Sequence, residues 1–204
     1  RGAAFIASAL ESTPESMPET DSYRLSSLGE TLSALAARMN PDDAAPLAAR
    51  GAAVIARALE SIPETNPERL WSLGEALSAL AARMNPDDAA SLAARGAAVI
   101  ARALESTPES MSETDSYRVS SLGEALSALA ARMNPDDAAP LAARGAAVIA
   151  RALESTPQTD SYRLLSLRET LLALAAPFPQ ESSTQLLLAL SNMSLQRIPN
   201  PQEE

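Results

Sequence analysis

The string Arg-Gly-Ala-Ala stands at Arg1, Arg50, Arg95 and Arg144 of a 204-residue chain, at spacings of 49, 45 and 49 residues. A second string, Arg-Met-Asn-Pro-Asp-Asp, recurs at Arg38, Arg83 and Arg132, and residues 32–61 are identical to residues 126–155. Self-similarity at such a period marks a repeat array, in which a unit too small to bury its own apolar face is stacked on copies of itself. The near-identity points to duplication of a block of two repeats. The repeats run at about 1–49, 50–94, 95–143 and 144–193, one domain in all, with 194–204 as a flexible tail.

Each period holds two helical patterns. In the first, near 22–39, Leu25, Leu28, Leu32, Leu35 and Met39 follow three-four spacing while Ser26, Ser27, Glu30 and Arg38 fall elsewhere, which gives one apolar stripe. Asn40-Pro41-Asp42-Asp43 then reads as a helix start: a cap residue, a proline at the first helical position and acids facing the positive helix end. The second helix, near 41–60, has Ala44, Leu47, Ala48, Gly51, Val54, Ile55, Ala58 and Leu59 on one side and mostly Ala on the other. A helix apolar nearly all round is buried on several sides, here by its own partner and by both neighbouring repeats. Gly51, Gly96 and Gly145 in its middle let the axes approach to near the lower end of roughly 8–10 Å. Pro46 and Pro140 are expected to kink this helix or delay its regular start, whereas Ser91 at the matching position is not.

The connections from second to first helix alternate, ten residues from Pro14 to Arg24 and from Pro108 to Arg118, six from Pro63 to Arg69 and from Pro157 to Arg163. Filled with Pro, Glu, Ser and Thr, they read as solvated loops. The Asn-Pro turns are too short for anything but antiparallel neighbours. The last repeat departs: Pro177-Phe178-Pro179-Gln180 replaces the Asn-Pro-Asp-Asp turn, and Arg168 stands where Gly29, Gly74 and Gly123 stood. A more polar helix from Ser183 to about Ser194 reads as a C-terminal cap. At the other end residues 2–11 match the second half of a second-type helix, so the edge before them is open and apolar. The chain starts without Met in mid-pattern and reads as a piece of something longer, with no signal peptide legible; a cytoplasmic setting is expected.

The helix-turn-helix unit resembles α-solenoids of the HEAT and armadillo type. More narrowly, Leu-Ser-Ala-Leu-Ala-Ala-Arg-Met-Asn-Pro-Asp-Asp-Ala-Ala is similar to Ala/Leu-rich helical tandem repeats of large bacterial multidomain proteins, over residues 1–176. The resemblance implies an all-α fold, a right-handed α-solenoid of about four antiparallel helix pairs, and a binding or scaffold role.

Composition narrows the chemistry. All sixteen basic residues are Arg, and the chain contains no Lys, His or Cys. That removes Cys/His zinc sites, thiol nucleophiles, disulfides, Ser-His-Asp triads, Schiff-base lysines and P-loops. Carboxylate chemistry or none is left. A formal charge of −10 argues against phosphate backbones and anionic lipid. No apolar run approaches the roughly 20 residues of a membrane span. Neither cofactor nor metal is expected, and no enzymatic activity.

Four features compete for function. The pairs Asp42/Asp43, Asp87/Asp88 and Asp136/Asp137 fit helix capping better than calcium or acid–base work, since adjacent residues on a helix point about 100° apart. Arg24, Arg69 and Arg118, with Arg38, Arg83 and Arg132 four turns on, form rows that either meet the carboxylates of an acidic partner or pair with Glu30, Glu75, Glu124 and Glu169. Trp71, the only Trp, replaces Ser26, Ser120 and Leu165 and is either an interface anchor or a loop cover. The sequon at Asn192 reads as chance. The expectation is a non-catalytic protein-binding scaffold using Arg24, Arg69, Trp71 and Arg118. Alternatives are a self-associating or domain-swapping spacer joined through the open N-terminal edge, and, least, a carboxylate-dependent hydrolase.

Overall fold

A computed structural model describes residues 2–12, 19–62, 66–107, 113–157 and 159–176. Among these residues there are eight helices and no strand: α1 (Gly2–Glu11), α2 (Glu19–Ala36), α3 (Pro41–Ser61), α4 (Pro67–Ala81), α5 (Pro86–Glu105), α6 (Glu113–Ala130), α7 (Pro135–Ser155) and α8 (Ser161–Ala175). Each helix packs on the next and on the next but one. The even helices therefore contact one another in file, as do the odd ones, and the Leu stripes of the even file meet the Ala-rich odd file between them. The core is one continuous strip, from Leu10 and Leu32 through Leu77 and Ile100 to Leu126, Ile149 and Leu174. The expected cap, tail and sequon at Asn192 lie outside the described residues.

The odd helices are surrounded as their composition requires. A methyl group placed on Gly96 would stand 2.7 Å from Leu77 Cδ2, 3.2 Å from Leu129 Cδ1 and 3.3 Å from Leu59 Cδ1. Those leucines come from α4, α6 and α3, so the glycine sits where three neighbours converge. Gly51 and Gly145 repeat the arrangement with Leu32, Leu10 and Leu80, and with Leu126, Leu104 and Leu174.

Three local expectations need correction. Pro46 and Pro140 do not delay their helices, which start at Pro41 and Pro135 with the prolines inside. Each removes one hydrogen bond to a first-turn carbonyl, that of Asp42 or Asp136, and both those residues are exposed, at a helix end where the loss is tolerated. The ten-residue connections are not loops throughout: α2 and α6 have 18 residues against 15 for α4 and α8, because residues 19–21 and 113–115 add nearly a turn at the start. Finally, Asn40, Asn85 and Asn134 occupy the cap position of α3, α5 and α7 without a side-chain cap bond. Pro at the first position has already removed one orphan donor, and the Asn40 carbonyl accepts from Ala44 N at 2.9 Å. Side-chain capping occurs on α4 and α8, where Asn66 Oδ1 and Asp160 Oδ1 accept from Arg69 N at 3.3 Å and Arg163 N at 3.2 Å.

Candidate interaction surface

Helix periodicity sorts each even helix into four sides. Leu70, Leu73, Leu77 and Leu80 of α4 face the odd file and are fully buried. Ser72, Ala76 and Ala79 face α2, and Gly74 and Ser78 face α6. Glu75 is left pointing outward, with Glu68 and Trp71 about two and one turns before it on the same side.

The two lateral sides interlock by small residues and serine hydroxyls. Ser33 Oγ donates to the Ala79 carbonyl at 2.9 Å, Ser78 Oγ to Ala128 at 3.0 Å and Ser127 Oγ to Ala173 at 2.7 Å. Ser26 Oγ adds a bond to the Ser72 carbonyl at 3.1 Å, and Ser166 Oγ one to Ser120 Oγ at 2.9 Å. Such bonds need the helix backbones close together, which Gly29, Gly74 and Gly123 permit.

The odd file is tied by charge. Arg50 clasps Glu11 through Nε and Nη2 at 2.7 and 2.6 Å, Arg95 clasps Glu60 at 2.8 Å through both, and Arg144 clasps Glu105 at 2.6 Å through both. These are the arginines of the Arg-Gly-Ala-Ala string, each on the last carboxylate of the preceding odd helix. The hydrogen bonds hold the carboxyls of Glu11, Glu60 and Glu105 below their ordinary range. Arginine forks bridging neighbouring helices in this manner are geometrically specific but exposed.

The arginines singled out in the sequence meet different fates. Arg24 is exposed on α2. Arg69 is only 8% exposed, in the first turn of α4. Arg118 is half-buried; its Nη2 donates to the Ala103 carbonyl at 3.3 Å and to Ser106 Oγ at 3.2 Å, at the C-terminal end of α5 where carbonyls attract a cation. Arg163 lies 3.3 Å from Asp160 Oδ2 and reaches Ser116 Oγ. Six residues separate Arg24 from Glu30, about 120° round the helix, so this series lies on a different side from the glutamates, and Arg69, Arg118 and Arg163 of it are buried or half-buried. The row contains one open guanidinium, Arg24, rather than a continuous set.

The outward side carries the opposite charge. Glu30, Glu75, Glu124 and Glu169 recur on successive even helices, and none forms an ion pair among the described residues. Burial pushes the Glu75 carboxyl up, and the charges of Glu124 and Glu30 add to it; burial and then Glu169 raise Glu124. Aromatic rings border this row. Tyr23, Tyr117 and Tyr162 occupy one repeat position, and Trp71, 38% exposed, stands beside Glu68, which accepts from Tyr23 Oη at 3.1 Å. Sequence reasoning named Trp71 and the glutamates but missed the tyrosines, whose signal was their recurrence seven residues before Glu30, Glu124 and Glu169, with Glu68 at that position before Glu75.

The aspartate pairs lie exposed in the first turns of α3, α5 and α7. Among the described residues no group of three or more acidic side chains gathers as a metal site would require, and no helix is long and apolar enough to cross a membrane. Compared with family models, curated proteins and solved structures, the chain gives no match.

Proposed function

We propose that this chain is a non-catalytic scaffold, a right-handed α-solenoid of the HEAT/armadillo-like kind, that holds a segment of a partner protein along the outward side of its even helices. The succession of next and next-but-one contacts supports a solenoid, and a solenoid spreads affinity over similar sites on adjacent repeats. The observation that carries the reading is the row of unpaired glutamates flanked by exposed aromatic rings. A cationic side chain relieves the repulsion within that row and stacks on the rings. The favoured partner is thus a basic segment, in place of the acidic one that the arginine row suggested, because Arg69, Arg118 and Arg163 are engaged within the fold.

Trp71, the only Trp, reports directly on the proposal. Titration with an Arg-rich peptide should shift its emission saturably, more weakly at high salt, and less in the Glu75→Gln/Glu124→Gln variant. An acidic peptide of equal length should leave it unchanged. Binding of the acidic peptide alone, or basic binding indifferent to the double substitution, sinks this reading.

A further inference from the structure

The outward side of the even helices has relief as well as charge. Seven residues before the glutamates, about 10 Å along each helix, runs a parallel row of Tyr23, Glu68, Tyr117 and Tyr162. Between the two rows every even helix carries a serine at the same position: Ser27, Ser72, Ser121 and Ser166. Long side chains thus border a line of short ones. The floor is tight, because Ser26 Oγ donates to the Ser72 carbonyl at 3.1 Å and Ser166 Oγ to Ser120 Oγ at 2.9 Å. Where Glu68 displaces the tyrosine, α4 supplies Trp71 one turn later, 38% exposed, in place of Ser26 and Ser120. Each even helix therefore brings one ring and one outward glutamate, and all three tyrosines and the only tryptophan of the chain stand here. The result is a shallow channel across the even helices, deepest at Glu75, which is half-buried while Glu30, Glu124 and Glu169 are exposed.

The repeat sets the period of the charges. Neighbouring even helices are joined by serine bonds, so their axes lie within the roughly 8–10 Å of packed helices, and the glutamates recur at about that distance. A partner whose cations meet successive glutamates needs the same period along one of its sides. An extended strand returns to a side every two residues, about 6.8 Å, which is too short. An α-helix returns after one turn, about 5.4 Å, or more closely after seven residues, about 10.5 Å, and both fall outside the range. Polyproline II returns every third residue, at about 9.3 Å. Its three sides also fit the section of the channel, one for the glutamates, one for the rings and one for water.

We infer that the partner segment is basic and proline-rich and lies in the channel as a polyproline II helix, with an arginine at every third position on the glutamates and the proline after it against Tyr23, Trp71, Tyr117 or Tyr162. This rests on the use of the outward side proposed above and adds its register. Proline holds the segment in this conformation before binding, which lowers the ordering cost, and its ring packs on aromatic faces. Arginine supplies a planar, permanently charged fork for each carboxylate.

The test compares peptides by Trp71 emission: Arg-Pro-Ala repeated four times, an isomer of identical composition with its arginines at every second position, and a helix-forming peptide with an arginine at every seventh. The Arg-Pro-Ala peptide should bind about tenfold more tightly than its isomer, the order expected when two exposed ion pairs fall out of register. In the Glu75→Gln/Glu124→Gln variant the two should become alike, and Tyr117→Ala should weaken the first without changing the second. Equal saturable binding of the isomers, or preference for the isomer or for the helical peptide, overturns the inference and leaves the basic-segment reading standing. Absence of binding by all three overturns both. Helical circular dichroism accompanies each variant; if a variant loses it, the order of the three peptides on the unaltered chain decides.

Discussion

The two files of helices solve the same copying problem in opposite ways. In the odd file an Arg near the middle of the helix and a Glu near its end stand at different positions of the repeat, and stacking brings the Arg of one copy onto the Glu of the copy before it. In the even file the outward position carries a single charged residue, Glu, and stacking sets it beside its own copies. A duplicated position always faces its like; a duplicated pair can face its complement if the offset between helices equals the offset within the sequence. The even file is held instead by serine hydroxyls and close backbones, which leaves its outward charge unbalanced and available.

The comparison can be broken most severely at the glycines that both files depend on. Gly96→Val drives two extra methyl groups into Leu77, Leu129 and Leu59 and should cost about 2–3 kcal/mol of stability, read by chemical denaturation. A loss below about 1 kcal/mol means the three leucines can withdraw and the close approach is not essential. Next comes the hydroxyl row: Ser78→Ala removes a part-buried bond to the Ala128 carbonyl, which keeps its place in its own helix, and should cost about 1 kcal/mol.

The charge rows should differ in sign. Glu75→Gln should stabilise the fold at pH 7, by up to about 0.5 kcal/mol once solvent screening is allowed for. Its carboxyl binds a proton more tightly folded than unfolded, so its contribution favours folding at low pH and is lost as pH rises through the raised folded value. The gain from Gln should accordingly fade as the pH of the melt is taken down below 4.5, the ordinary value. Glu60 runs the other way: its stabilisation is present above 4.5 and disappears as pH falls through the depressed folded value. Arg95→Gln should destabilise at pH 7 by less than about 0.5 kcal/mol, because the bidentate pair is exposed, and the difference should shrink in high salt. An opposite sign for either variant would remove the distinction between the files.

Much of this was legible in the strings themselves. The Leu spacing of residues 25–35, the Asn-Pro-Asp-Asp starts and the Ala-rich second helix gave the helix order, and Gly51, Gly96 and Gly145 announced a close approach that the leucines around Gly96 bear out. The Arg-Gly-Ala-Ala string was visible as the strongest repeat signal, yet its chemical role was not, since Glu11, Glu60 and Glu105 lie 35 or 39 residues before their arginines. Arg24, Arg69 and Arg118 were legible as a row, but not that Arg69 and Arg118 are turned into the stack while Arg24 stays exposed. That turn comes from the phase of the helix relative to neighbours that the sequence names without placing.

Sequence alone determined what depends on local periodicity and on identity between copies: an all-helical pattern, its period, the Asn-Pro turns between its helices, and which copy is atypical. Tertiary structure alone decided which like positions become neighbours and which unlike ones meet. The reason is that pairing across helices depends on their relative rotation and shift, and these are fixed jointly by the packing of every Leu, Ala and Gly between them. One period of sequence contains the residues of the Arg–Glu clasp and of the glutamate row, but the same rigid offset makes the first a bond and the second a repulsion.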